Sequence, residues 1–319
     1  MSLSVTSGDF PFPKEQYYNR YGRYLREIFG GKVLRLSLDA GFSCPTRDGT
    51  LGYGGCLYCN NASFAEDRLQ SLKSIREQLA AGIESARRGH RSARFLAYFQ
   101  SYTNTYKNPD ELDRLYREVL AFPEVVGICI GTRPDCVNED IFRLLQKLNR
   151  EIYVSIEFGV ESVYDKSLHW AQRGHDFAAT RTAVAAAKAH GLHVAGHLIF
   201  GFPTETEEEI LHSAEAINEL ELNAIKIHHL HIVRDTDLAA LYAKNPFPLF
   251  DETGWVKIVC SFLERLDPRI VIERIIGDAR GDTLIAPLWR KSKLQIIREI
   301  EEEFRRRGTY QGSAFSPAS

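Results

Sequence analysis

The sequence predicts an α/β fold: a partial (β/α)6 barrel of parallel strands with a smaller C-terminal extension. Three observations predict it. Strand-like apolar runs alternate with helix-period segments six times between residues 31 and 250, the pattern of a parallel sheet with helices outside. Six such units are fewer than the eight that close a full barrel, so the sheet is expected to stay open. Beyond Asp251 the rhythm changes. The organisation expected is therefore an N-terminal extension over 1–30, a core over 31–250 and a C-terminal extension over 251–319. Spacing alone fits a flat doubly wound sheet as well; the open barrel is the expectation adopted.

The elements follow in order. An aromatic-rich opening, Phe10 to Phe29, precedes KVLRLSLDAG (Lys32 to Gly41), whose period-two alternation reads as a strand. Ser74 to Arg88 puts Ile75, Leu79, Ile83 and Ala86 on one helical stripe. RFLAYF (Arg94 to Phe99) is the second strand. Asn108, Pro109 and Glu111 then supply a cap, a first-turn proline and a capping-box carboxylate for a helix carrying Leu112, Leu115 and Val119. VVGICIG (Val125 to Gly131) precedes a helix marked by Ile141, Leu144, Leu145 and Leu148. IYVSIEFGV (Ile152 to Val160) precedes an Ala-rich helix closed by Gly191. HVAGHLIFGFP (His193 to Pro203) leads to a capping box of Thr206 and Glu209, a helix with Ile210, Ala214 and Ile217, and AIKIHHLHIV (Ala224 to Val233) as the sixth strand. In the extension, Trp255 to Leu266 is helix-like and Ile270 to Ile275 strand-like. A last amphipathic helix carries Leu294, Ile297, Ile300 and Phe304.

Composition narrows the class. The 319 residues hold 44% apolar and 26% charged side chains with a formal net charge of −2, close to average globular usage and without the basic excess of a nucleic-acid binder. No run approaches the roughly 20 apolar residues that span a bilayer, and no secretory signal is recognisable. Six cysteines in so long a chain make no disulfide scaffold. A reduced cytoplasmic protein is expected, where clustered cysteines are metal ligands or catalytic groups.

The chemistry concentrates in GFSCPTRDGTLGYGGCLYCNN. Cys44, Cys56 and Cys59 occupy one Gly-rich loop after the first strand, eleven residues separating the first pair and two the second. Such a loop lies at the C-terminal face of the sheet, where barrel folds carry their chemistry. A [4Fe–4S] cluster on three thiolates keeps one iron without a protein ligand, whereas structural zinc wants a fourth ligand. The loop alone leaves iron–sulfur, zinc and unligated thiols open. Cys129 and Cys260 read as small core residues; Cys136, at a strand end, is a candidate for redox chemistry.

With the cysteine loop, the segments GVES, Gln172-Arg173-Gly174-His175 and GHLIFGFPTET make the chain resemble the radical S-adenosylmethionine superfamily, and within it the YhcC-like branch. The long first cysteine interval departs from the superfamily's usual C-x3-C-x2-C. The resemblance runs through all six units and loosely into the extension. It is strongest to oxygen-independent coproporphyrinogen oxidases and the Elongator catalytic subunit around those last three segments.

The resemblance implies Cys44, Cys56 and Cys59 as ligands of a [4Fe–4S] cluster whose open iron holds S-adenosylmethionine. It implies Tyr58 beside the adenine, and Gln100, Ser101 and Tyr102 where relatives carry a Gly-rich segment toward the methionine amino group; those glycines are missing here. Glu161 corresponds to a ribose contact, Arg173 to the methionine-carboxylate arginine and His197 to an adenosine contact. These residue types suit the tasks, since a guanidinium forks onto a carboxylate and a carboxylate accepts two hydroxyls.

The activity implied is reductive cleavage of S-adenosylmethionine to a 5′-deoxyadenosyl radical that abstracts hydrogen from a substrate, tRNA or a small metabolite. A one-electron donor such as flavodoxin or ferredoxin is the partner implied. The last helix interleaves Arg298, Arg305, Arg306 and Arg307 with Glu299, Glu301, Glu302 and Glu303, a solvated face rather than an RNA arm. His229 and His231 share a strand face with a core or ligand-lining role expected. Asp278-Ala279-Arg280 and Ala286-Pro287-Leu288-Trp289 are turn-like segments placed to cap the barrel edge or touch substrate. A zinc-stabilised hydrolase and a non-catalytic iron–sulfur binding module are the competing classes.

Overall fold

The computed structural model describes residues 12–13, 16–60, 73–90, 93–279 and 282–317. Seven strands form one curled, half-barrel sheet, every adjacent pair parallel: β1 (Val33–Leu38), β2 (Arg94–Phe99), β3 (Val125–Thr132), β4 (Tyr153–Glu161), β5 (His193–Phe200), β6 (Ala224–His229) and a further strand, Val271–Arg274. Six are the strands expected. The seventh comes from the C-terminal segment and extends the sheet beyond β6. Between them in sequence lies β7 (Ile232–Val233), which makes the outer strand β8 and the last strand β9 (Leu284–Ala286); β7 and β9 form an antiparallel pair beside the sheet's C-terminal edge residues.

The crossover helices are α2 (Ile75–Arg87), α3 (Pro109–Arg117), α4 (Glu139–Leu148), α5 (Asp165–Trp170), α6 (Phe177–Ala189) and α7 (Glu207–Glu219), preceded by α1 (Tyr21–Phe29). Five of the six crossover helices start on side-chain caps; α5, after Tyr164, and α1, after Arg20, do not. Ser74 with Glu77 and Thr206 with Glu209 close capping boxes, and Asn108 accepts from the Glu111 N–H, each satisfying backbone donors the helix leaves open. Gly191 takes the left-handed conformation after α6.

Strands covered on both faces alternate between two apolar layers. In β2, Phe95, Ala97 and Phe99 join the large core under the outer helices, while Leu96 and Tyr98 pack inward with Cys129, Leu25, Tyr21, Tyr24 and Phe29. Helix α1 therefore fills the concave side of the half-barrel.

After β7, α8 (Asp237–Lys244) and α9 (Glu252–Arg265) precede β8, and α10 (Lys293–Arg307) closes the chain's regular structure. Trp255 on α9 is fully buried and donates its indole N–H to the Ile275 carbonyl at 3.1 Å. Along α10 the buried stripe is Ile296, Ile300 and Phe304. Leu294, placed on that stripe by the sequence reading, is exposed: at 100° per residue it lies roughly 200° from Ile296, on the opposite face. No helix among the described residues is long and apolar enough to cross a membrane.

Candidate metal centre and cofactor cavity

The loop after β1 is tied back on itself by its own backbone. The N–H groups of Arg47 and Asp48 donate to the Cys44 carbonyl at 2.9 and 3.2 Å, Gly55 N–H to Thr46 O at 2.9 Å, and Cys59 N–H to Cys56 O at 2.9 Å. Gly55 sits at φ +92°, where an added Cβ would lie 2.7 Å from the Arg47 Nε; glycine alone permits that approach. Arg47 in turn donates to the Cys59 carbonyl at 2.6 Å. The result brings Cys44, Cys56 and Cys59 to one cavity of about 250 Å³ at the C-terminal ends of the strands.

All three are free thiols. The Cys44 sulfur lies 3.0 Å from the Thr103 hydroxyl, and the Arg173 Nη1 donates to the Cys56 sulfur at 3.4 Å. Burial pushes the Cys44 thiol up, opposed by Thr103 and Arg173, and pushes Cys59 up to about 11, opposed by Arg47. Soft sulfur donors beside guanidinium groups suit an anionic iron–sulfur core. Among the described residues no three His, Cys, Asp or Glu side chains converge on a single metal ion. The three thiols line one cavity without converging on a point.

Arg173 is the centre of the next layer. It follows α5, lies buried, and donates through Nη2 to the Gly159 carbonyl at 3.0 Å while facing Glu161 Oε1 at 3.3 Å. Burial lifts the Glu161 carboxyl above the usual range, with Arg173 opposing. Tyr102, Glu161 and Gln172 all adopt positive φ, 63°, 63° and 53°, conformations that cost a side-chain-bearing residue about 1–2 kcal/mol and gather at this site. β4 also shifts register between Gly159 and Glu161. A Cβ on Gly159 would meet the Arg173 Nη2 at 2.3 Å and Glu161 Oε1 at 2.6 Å. Gly159→Ala is therefore expected to eject the guanidinium and destabilise the fold by about 1–3 kcal/mol, read as a lowered denaturant midpoint. An unchanged midpoint would show that Arg173 gives way freely.

Beneath this layer lies a buried charge network. Glu157 on β4 receives Lys226 on β6 in a close ion pair, faces Arg35 on β1 at 3.3 Å and accepts from His197 Nε2 at 2.9 Å. Glu273 on β8 pairs closely with Arg35 and lies 3.6 Å from Lys226. Lys226 also donates to the Tyr98 hydroxyl at 3.0 Å. Both carboxylates are out of solvent contact. Burial alone would raise the Glu157 carboxyl, yet Lys226 and Arg35 hold it well below the usual carboxylate range. Burial and Lys226 lower His197 to about 4, so its ring is neutral and its Nε2 proton goes to Glu157.

Of the residues singled out from the sequence, Cys44, Cys56, Tyr58, Cys59, Gln100, Tyr102, Glu161, Arg173 and His197 all line this one cavity. Ser101 is buried and does not line it. Cys136, in a 3₁₀ turn (Pro134–Cys136), has its thiol pushed up to about 12 by burial and Asp135, far from a reactive thiolate. His229 and His231 meet at 2.7 Å between their Nε2 atoms, and Trp289 stacks on His229 at 4.1 Å. Asp278 lines the cavity; Arg280 lies outside the described residues. Sequence reasoning missed Arg47, Arg133, Glu157, Lys226 and Arg274. For Glu157 and Lys226 the signal was there: a charged residue inside an otherwise apolar strand.

An open parallel half-barrel with a three-cysteine loop at its strand ends defines a class, the partial (β/α) barrels with their site at the strand tips. A family profile described as Radical SAM superfamily matches residues 51–217, and one for the Radical_SAM C-terminal domain matches 222–306. The chain is 38% identical over 301 residues to Protein YhcC of Escherichia coli (strain K12), covering 94% of this chain and 96% of that one. It is 35% identical over 311 residues to the uncharacterized protein YtqA of Bacillus subtilis (strain 168), covering 96% of each. Among solved structures, the archaeal Methanocaldococcus infernus Elp3 with N-terminus deletion (1-46) superposes with a TM-score of 0.67 at 19% identity, covering 88% of this chain and 64% of that chain, a likeness of fold. The chain belongs to the radical S-adenosylmethionine superfamily. Membership implies an iron–sulfur cluster, S-adenosylmethionine, a reductant and a substrate.

Proposed function

We propose that Cys44, Cys56 and Cys59 hold a [4Fe–4S] cluster and that this chain is an enzyme cleaving S-adenosylmethionine reductively to drive hydrogen abstraction. The observation that carries the reading is that the three thiols share one strand-end cavity with Arg173, Glu161 and His197. When bound, the cluster and cosubstrate supply an electron and a 5′-deoxyadenosyl radical. A flavodoxin- or ferredoxin-type donor provides the electron.

The protein's own work is positioning. Arg173, held by the Gly159 carbonyl and Glu161, presents its guanidinium to the methionine carboxylate. Glu161 accepts the ribose hydroxyls. His197, its Nε2 proton committed to Glu157, offers Nδ1 as an acceptor to adenosine. Tyr58, packed on Phe202, borders the adenine. Gln100 and Tyr102 face the methionine amino group, and Ser101 contributes backbone alone. At Tyr102 the positive φ supplies the turn that relatives build with glycine. On α10, Arg306 and Arg307 are taken up by Glu303 and Glu264, which favours a small-molecule substrate over RNA.

Anaerobic reconstitution with iron and sulfide, followed by ultraviolet–visible and electron paramagnetic resonance spectra and a cleavage assay, tests this. The expected result is a brown protein with a reducible cluster that releases 5′-deoxyadenosine from added S-adenosylmethionine. A colourless zinc protein would end the proposal. A brown one that never releases 5′-deoxyadenosine would reduce it to a binding module.

A further inference from the structure

The cavity does not end at the cofactor residues. At the far edge of the sheet from the cysteine loop it is lined by Lys226, His228 and His231 after or along β6, and by Arg274 at the end of β8. Charge bookkeeping on this wall is uneven. Arg35 and Lys226 are matched by Glu157 and Glu273. Asp278, the other carboxylate here, is paired with Lys293. The Arg274 side chain makes no hydrogen bond or ion pair with any described residue, though a guanidinium facing a cavity has five donors to satisfy.

The histidines beside it stay neutral. Burial holds His228 well below its ordinary value, with Arg274, His197 and Lys226 acting the same way. Burial lowers His231 to about 4, opposed by Asp278. His229 Nδ1 is buried without a partner. An orphaned buried N–H is rarer than an orphaned acceptor, so the His229 proton sits on Nε2 and is donated to His231, whose own proton is then on Nδ1. Gly277 lets the rings close in: a Cβ there would lie 3.1 Å from His231 and 3.3 Å from His228.

We infer that Arg274, with neutral donors from His228 and His231, binds an oxyanion of the substrate, a carboxylate or a phosphate ester. One unmatched guanidinium flanked by neutral imidazoles favours an anion and repels a cation. Calling that anion part of the substrate rests on the cosubstrate reading above; its binding does not.

The test uses the full chain, reconstituted anaerobically and kept oxidised, titrated calorimetrically with inorganic phosphate and with succinate, with and without S-adenosylmethionine. One of the two oxyanions is expected to bind, the preferred one naming the substrate's group. Arg274→Gln is expected to weaken that binding about tenfold or more, and Arg274→Lys less. Arg274 has no internal partner to lose, and circular dichroism of each variant checks the fold. Absence of binding in the parent chain, or equal binding in Arg274→Gln, would overturn the inference. So would an equal loss of S-adenosylmethionine binding in Arg274→Gln, which would give this arginine to the cosubstrate. If the parent chain binds an oxyanion but never yields 5′-deoxyadenosine, the cosubstrate reading fails and the anion site stands.

Discussion

A Cys59→Ala chain is expected to lose more than about 100-fold in 5′-deoxyadenosine release, beyond what removing an outer partner of a metal ligand costs. Burial pushes the Cys59 thiol up to about 11, and Arg47 braces its carbonyl. On the cluster reading proposed above, removing it would leave two thiolates to hold the cubane. Iron per chain and the cleavage assay read the outcome together. Cys136→Ser serves as the comparison, since that thiol lies outside the cavity that holds the other three. Undiminished release from Cys59→Ala at full iron content would defeat the cluster assignment.

Glu157→Ala is the substitution expected to harm folding most. Its carboxylate has no solvent exposure and meets Lys226, Arg35 and His197. Deleting it leaves two buried cations sharing Glu273. Breaking a buried pair from one side costs about 3–5 kcal/mol, because the remaining charge is stranded. Guanidinium unfolding would show this as a large drop in midpoint. Adding Lys226→Met should recover part of the loss, since the stranded charge leaves with it. A loss under about 1 kcal/mol would mean the network rearranges or admits water. The sign of the pH dependence follows from the lowered Glu157 value. Its stabilisation is complete above the ordinary glutamate range, near about pH 4.3, and drains away as pH falls toward the folded value.

The six core strands and their helices were legible because the strands are rich in apolar residues at strand spacing and most of the crossover helices begin with a side-chain cap. Thr206 with Glu209 and Asn108 before Pro109 are the clearest cases. β8 was read as a strand but not as a member of the sheet, because four residues, Val271–Arg274, carry no signal of which edge they join. The cysteines were legible from spacing, and Arg173, Glu161 and His197 through resemblance. The charge network was not. Lys226, Glu157 and Arg35 sit on three different strands, and only the curl of the sheet brings them together. Leu294 misled because a stripe drawn on apolar identity ignores which face meets α9.

Helix α1 gives the half-barrel a stopper. With Leu25, Tyr21 and Tyr24 wedged against the inner layer, the concave side is plugged from within, and the cavity beside the cysteine loop sits at the strand tips. On the function proposed above, cosubstrate and substrate would share that one cavity at the strand tips.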